Sequence, residues 1–346
     1  MQNDNEKLRG NIVALRNSKC KKKCFKKLIK NLLPRVKENV FLKDYTTFKI
    51  GGKAKYFFVA RTRNDFIKAI KASKQLNLPF FILGNGSNVL FSDKRFEGLV
   101  IKIKDAKFKI KNCVINAEAG TPLFLLVQKA QQHSLSGLQW AVSIPGTIGG
   151  AVYGNASAFG KAIGDLVKQV EVLDLKNFKI KKLSKKECKF KYKDSIFKHK
   201  KNLIIISVIL RLKKGDKEKI KKEIQKFLRI RKETQPLNYP SAGCIFKNLK
   251  SQISKVKIKK NLLRKFPELR DFIQKGEIPA GYLIDKAGLK GKRIGNAMVS
   301  PRHANFIVNL GNATAKDVQK LIADIKKKVK KTFGIELKEE ITIFPH

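Results

Sequence analysis

The spacing of apolar positions changes repeatedly along the chain, and each change marks an element. Lys55–Ala60 reads as a strand, and Asn64–Leu76 as a helix with Phe66, Ile67 and Ile70 on one face. Pro79–Leu83 is a short apolar strand running straight into Gly84; Leu99–Ile103 and Val114–Ala117 are further strands. Thr121-Pro122 opens a helix carrying Leu123, Val127 and Ala130, with Thr as the capping residue and Pro in a first turn that needs no N–H. Leu138–Gly160 is apolar and glycine-rich, without a helical period. Strands resume at Val167–Leu175 and Leu203–Leu212, and Gly215-Asp216 marks a domain boundary. The next helix places Ile220, Ile224, Phe227 and Leu228 on one face. Thr314 with Asp317 makes a capping-box signature ahead of Val318, Leu321, Ile322, Ile325 and Val329, and Gly334 stops that helix after a lysine-rich last turn. Ile341–Phe344 closes as a strand. No fixed-period repeat interrupts this order, and the class is α+β.

Ahead of the patterned region, residues 1–33 read as a basic extension with a weak helical pattern at Leu28, Ile29, Leu32 and Leu33, ended by Pro34. No apolar segment follows the N-terminus and no apolar run reaches the ~18 residues of a membrane span, so a cytoplasmic protein without membrane contact is expected. Its five cysteines, odd in number and irregular in spacing, are then reduced thiols. Cys20 and Cys24 have no second pair of Cys or His to complete a metal site, so no metal is expected.

Charge adds one question. With 77 Lys+Arg against 27 Asp+Glu, the 346-residue chain carries a formal +50. Such a charge suggests a polyanion partner. The basic residues, however, are interleaved with apolar patterns throughout, and only residues 19–30 form a dense block. Lysine-filled surface positions account for this, and no specific nucleic-acid partner is expected. The field still steers small anionic ligands.

Four segments carry chemistry. Gly84-Asn85-Gly86-Ser87-Asn88 follows an apolar strand; its glycines let successive backbone N–H groups converge on a phosphate. The third glycine of a Rossmann fingerprint and its helix are missing, as is the Lys-Ser/Thr pair of a Walker loop. Ser143–Ala156 holds four glycines in nine residues, Gly146 to Gly154, framed by apolar residues. That composition suits backbone passing close to a large flat ligand, and two such loops point to a dinucleotide cofactor. Cys188–Phe197 puts aromatics and a cation before a strand. Pro240–Asn248 sets Cys244 behind a small-small pair.

In this order TTFKIGG (46–52), GNGSNVL (84–90), IPGTIGGAVYGNA (144–156), FKYKDSIF (190–197), SAGCIFKN (241–248) and AGYLIDKAGLKG (280–291) resemble the UDP-N-acetylenolpyruvoylglucosamine reductase family, from about residue 36 to 344. The uninterrupted run Pro240–Asn248 is similar to the shorter of its subtypes. The resemblance implies an FAD-binding portion of two α+β subdomains over 34–213, of the vanillyl-alcohol-oxidase-like kind, and a C-terminal α+β substrate-binding domain over 214–346. It implies non-covalent FAD, NADPH as co-substrate, and reduction of the enolpyruvyl ether of UDP-N-acetylglucosamine to UDP-N-acetylmuramate, by a monomer. FAD would meet Lys49, Ile50, Gly51 and Gly52; Gly84, Asn85, Gly86, Ser87 and Asn88; and Ser143, Pro145, Gly146, Gly149, Gly150 and Ala151.

The family's catalytic positions fall on Cys244 as proton donor, Glu340 as carboxylate and Lys193, where the family has Arg. Cys suits donation to a transient enolate because a thiol is a stronger acid than an alkyl hydroxyl. Burial is expected to keep Glu340 protonated, and strand alternation to turn its neighbour Glu339 away. Lys offers a point charge in place of a bidentate fork, which predicts an active but slower enzyme or a compensating neighbour. Tyr153, Asn155, Tyr192, Lys247, Asn248 and Lys290 fall on substrate-contact positions. Two rivals stand beside this reading. One is another FAD oxidoreductase of the same superfamily, although many of those hold FAD covalently and no His lies in either glycine loop. The other is a basic nucleic-acid binder without flavin.

Overall fold

The computed structural model describes residues 19–250 and 260–345. Residues 1–18 and the side chain of Cys20 lie outside that range. Helix α1 (Lys19–Leu32) precedes β1 (Lys37–Phe41), β2 (Lys53–Ala60), α2 (Arg63–Gln75), β3 (Phe80–Leu83), β4 (Val89–Phe91) and β5 (Phe96–Ile103). The first sheet has the order β1-β2-β5-β3, parallel except at β1. Strand β2 is apolar without alternation because both its faces are covered. Tyr56 and Phe58 meet Phe66 and Ile70 of α2, while Phe57 joins Phe91, Phe96 and Val100 behind the sheet. The basic segment also contributes. Phe25, Ile29 and Leu33 are buried in the first of these clusters, so from Phe25 onward it is packed structure rather than a trailing extension.

The second sheet comes from β6 (Phe108–Lys111), β7 (Val114–Glu118), β8 (Val167–Asp174), β9 (Lys179–Ser184) and β10 (Leu203–Arg211), in the antiparallel order β9-β8-β10-β7-β6. Helices α3 (Leu123–Gln132) and α4 (Ile148–Gly154) belong to this half. The expected Thr121 cap is not formed. Pro122 holds the capping position, and the Thr121 hydroxyl donates to the Lys107 carbonyl instead, 3.1 Å away. Helix α4 lies where no helix was expected, since seven residues rich in glycine are too few to show a period. Thr147 caps it by accepting from the Gly150 N–H at 3.2 Å. Helix α5 (Lys217–Thr234) follows the Gly215-Asp216 break, yet Ile220 and Ile224 are buried in the core of this half. Its apolar face, not the break before it, decides where it packs.

The C-terminal part contains β11 (Ser241–Cys244), α6 (Ala280–Lys286), β12 (Arg293–Ile294), β13 (Ala297–Val299), β14 (Phe306–Asn309) and α7 (Ala315–Phe333), with sheet order β11-β14-β13-β12. The capping box at Thr314 and Asp317 has both its bonds, and Gly334 ends α7 in the left-handed region at φ 71°. Val318, Leu321, Ile322, Ile325 and Val329 are buried as their spacing predicts. Two devices tie this part to the first. Asp93 oxygens accept from the Ala315 and Lys316 N–H groups at 2.8 and 3.1 Å, at the positive end of α7. Strand β15 (Thr342–Phe344) pairs in parallel with β4 and not with the C-terminal sheet, and Phe344 enters an aromatic cluster with Phe81, Phe91 and Phe96.

Candidate active site

Three remote segments deliver the candidate catalytic side chains to one place. Cys244 ends β11 at a β-bulge. The pairing steps three residues from Ser241 to Cys244 while the partner strand steps two, from Val308 to Phe306. Gly243 sits in the bulge at φ 78°, a conformation that L side chains adopt rarely, and such bulges re-aim the next side chain. Lys193 stands in a tight turn closed by reciprocal backbone bonds between Lys191 and Asp194, at φ 52°. Glu340 precedes β15, its N–H donating to the Ile245 carbonyl at 2.7 Å. The Lys193 ammonium lies 2.7 Å from Glu340 Oε1, with both side chains largely shielded from solvent, and it also donates to the Ser157 carbonyl at 3.2 Å.

Glu340 is therefore met directly by a cation. Glu339 pairs with Lys326 on α7 at 2.9 Å, so the two neighbours part as alternation predicts. Burial pushes the Cys244 thiol up to about 12; the Glu340 charge adds to this, and Lys193, Arg231 and Asn305 oppose it. The thiol keeps its proton throughout the neutral range.

The glycine loops also converge. A Cβ on Gly84 would lie 2.8 Å from Thr147 Oγ1, so the first loop fits against the start of α4 only without a side chain. Gly86, at φ 65°, passes so close to Tyr45 that a Cβ there would be 2.2 Å from its carbonyl. The Thr47 N–H donates to the Gly86 carbonyl, which brings residues 46–52 to the same loop. Beneath it the Lys102 ammonium donates to the Gly84 carbonyl; burial lowers this lysine to about 8. Asn88 ties the loop to the segment of Glu340 and β15. Its side-chain amide donates to the Glu340 carbonyl at 3.2 Å, and its own carbonyl accepts from Thr342 at 3.0 Å.

Whether a large polar ligand fits here is tested by what is left unsatisfied. Among the described residues, Ser143 Oγ and Arg231 Nε are buried without a hydrogen-bond partner. They adjoin, since Arg231 donates through Nη1 to the Ser143 carbonyl at 3.1 Å. Buried polar atoms are rarely left so, and an unfilled partner position explains the pair. Ser143 was expected at the FAD site. Arg231 was not, although it continues the buried face of α5 (Ile220, Ile224, Phe227) at helical spacing. An arginine on an apolar stripe was the available signal.

The expected substrate contacts divide. Tyr192 is near the cluster: burial raises its phenol, helped by Glu340 and Glu277, and the Lys250 ammonium sits 5.0 Å from its ring centre. Asn248 donates to Glu277 at 2.6 Å and accepts from Ala280 at 3.1 Å. Burial lowers the Lys198 ammonium, and the charge of Lys247 adds to this while Asp194 and Glu340 oppose it. Tyr153 is exposed, and its carbonyl accepts from the Ser195 hydroxyl at 2.7 Å. Asn155 is buried, and both polar ends of its side chain are committed within the fold, to the Lys191 carbonyl and the Gly164 N–H. Lys290 is held in an ion pair with Asp285 at 2.7 Å. Sequence reasoning missed Arg231, Lys198, Glu277 and Asn305.

No group of three potential metal ligands occurs among the described residues, and no helix there is long and apolar enough to cross a membrane. A cavity of about 430 Å³ opens beside Lys49, between Lys43 and Asp44 on one side and Tyr239, Pro240 and Asn309 on the other.

The chain is similar to known proteins over most of its length. Residues 235–344 match the family model described as UDP-N-acetylenolpyruvoylglucosamine reductase, C-terminal domain, and residues 54–184 match an FAD binding domain. UDP-N-acetylenolpyruvoylglucosamine reductase of Caldanaerobacter subterraneus is 42% identical over 303 residues, 87% of this chain and 91% of that one. The Thermotoga maritima protein of that name is 40% identical over 304 residues, covering 88% and 96%. The crystal structure of UDP-N-acetylenolpyruvylglucosamine reductase from Thermus caldophilus superposes with a TM-score of 0.72 at 35% identity, covering 90% of this chain and 99% of that one.

Proposed function

The chain belongs to the UDP-N-acetylenolpyruvoylglucosamine reductase family, and on that premise we propose that it reduces the enolpyruvyl ether of UDP-N-acetylglucosamine to UDP-N-acetylmuramate, with NADPH as the hydride source. The reaction serves peptidoglycan precursor synthesis. FAD, when bound, supplies the chemistry that carries hydride from NADPH to C3 of the enolpyruvyl group.

The chain's own residues do the rest. Glycine loops 84–88 and 143–151 receive the cofactor, with Ser143 Oγ and Arg231 Nε as waiting polar atoms. Negative charge then builds at C2 of the substrate and on its carboxylate. Cys244 gives its proton to C2; a thiol that burial holds at about 12 has that proton to give at any physiological pH. Lys193 meets the developing charge, preorganised by Glu340 and the Ser157 carbonyl. Tyr192 and Lys247 serve the substrate side, while the Asn248 side chain is held by Glu277 and the Ala280 N–H.

The observation that carries this reading is the meeting of Cys244, Lys193 and Glu340, from three segments, together with the buried, unsatisfied Ser143 Oγ and Arg231 Nε. The test is the visible spectrum during anaerobic addition of NADPH and then of the enolpyruvyl UDP-sugar. Flavin bands that bleach and return establish both halves. A flavin that the sugar does not reoxidise rejects the substrate, and a protein that cannot be reconstituted with FAD rejects the whole reading.

A further inference from the structure

Lys193 reaches Glu340 from a backbone conformation that a lysine adopts reluctantly, at φ 52°. Such a conformation persists only where its surroundings determine it. The Ser195 hydroxyl anchors the following short helix to the Tyr153 carbonyl at 2.7 Å. From that helix the Lys198 ammonium turns back and donates to the Lys193 carbonyl at 2.8 Å. His199, on the same helix, holds the Asp194 carboxylate at 2.9 Å. The turn is thus gripped on both sides of the peptide after Lys193. A charged donor on that carbonyl fixes the peptide plane, and with it the direction in which the Lys193 side chain leaves.

We propose that Lys198 is a positioning residue for the reduction: its bond to the Lys193 carbonyl holds Lys193 in the left-handed conformation from which its ammonium meets Glu340 and the substrate charge. This rests on the function proposed above. A point charge without a fork depends on its backbone for direction. Lys198 acts through Lys193, with no contact to the substrate required.

The experiment uses the FAD holoenzyme and follows each half-reaction by anaerobic stopped flow. Lys198→Met is expected to slow reoxidation by the enolpyruvyl UDP-sugar roughly 10- to 100-fold, the range that displaced catalytic groups show. FAD content and the rate of bleaching by NADPH stay within about twofold. Lys198→Arg, which keeps a donor, recovers most of the loss. Lys193→Met/Lys198→Met is no slower than Lys193→Met alone, the non-additivity of groups acting as one unit. Unchanged reoxidation in Lys198→Met overturns the inference, and so does a double variant in which the two losses multiply. Should Lys198→Met not retain FAD, Lys198→Gln is read in its place; loss of FAD there as well reduces Lys198 to a structural role and overturns it. A parent holoenzyme that the sugar cannot reoxidise overturns the function and this inference together, and that failure is visible before any substitution is made.

Discussion

Replacing Cys244 with Ala removes the proposed proton donor, and the structure sets the size and the pH dependence of the effect. Burial moves the thiol from an ordinary value near 9 to about 12. At 1.36 kcal/mol per pKa unit, that disfavours the thiolate by about 4 kcal/mol. At pH 8 about one thiol in 10⁴ is ionised, against about one in ten at the ordinary value. Reoxidation of the flavin by the enolpyruvyl UDP-sugar is therefore expected to show no loss assignable to Cys244 between pH 7 and pH 10. Cys244→Ala should slow that step about 10²- to 10⁴-fold, the worth of a positioned proton donor. Reduction by NADPH needs no such proton and should be untouched. Cys244→Ser keeps a weaker acid and should fall between. The assay is stopped-flow reoxidation against pH, with iodoacetamide alkylation of Cys244 as an independent titration. A wild-type rate that falls with a midpoint near pH 9, in step with alkylation, would refute the buried-thiol argument. Wild-type reoxidation by Cys244→Ala would refute the role itself.

Three further outcomes follow from the geometry. Gly84→Ala drives a Cβ to 2.8 Å from Thr147 Oγ1 and should weaken FAD retention more than about tenfold, measured by flavin fluorescence on ultrafiltration. Gly84→Ala/Thr147→Ala should recover part of that retention while losing about 1 kcal/mol of helix capping in a melting experiment. Phe344→Ala removes a half-buried ring that packs on Phe81 at 4.4 Å and on Phe96 at 4.9 Å, and should cost about 2–3 kcal/mol in denaturant unfolding. Because β15 follows Glu340, sugar-dependent turnover should fall as well; stability lost with turnover intact would deny the strand its positioning role. The Asp174 carboxyl is held well below its usual range by donation from Lys181, then Asn202 and the Lys176 N–H. Its stabilisation is present above the unfolded value, near pH 4, and disappears as pH falls. The Tm gap between wild type and Asp174→Ala should be wide at pH 7 and close below pH 4; a gap that widens on acidification contradicts this.

What could be read along the chain was whatever depends on near neighbours. The capping box at Thr314, the buried face of α7 and the opposed directions of Glu339 and Glu340 all follow from local spacing. Six short segments in a fixed order pointed to the family, and in several of them close backbone approach calls for glycine. Helix α4 stayed hidden because seven residues cannot display a period, and the core role of Phe25, Ile29 and Leu33 because lysines surround them.

The candidate active site lies on the other side of that divide. In a chain with 77 Lys and Arg, composition cannot separate Lys198 or Arg231 from a solvated surface cation. Only the fold does so, by aiming one at the Lys193 carbonyl and burying the other beside Ser143. The meeting of Cys244, Lys193 and Glu340 likewise needs the bulge at Gly243, the left-handed turn at Lys193 and the pairing of β15 with β4. By itself the sequence determined most of the elements, the glycine loops and the residue types on offer, through short-range sterics and periodic burial. Which side chains meet, and in what charge environment, was decided by tertiary structure, since those contacts join distant segments whose approach no local pattern records.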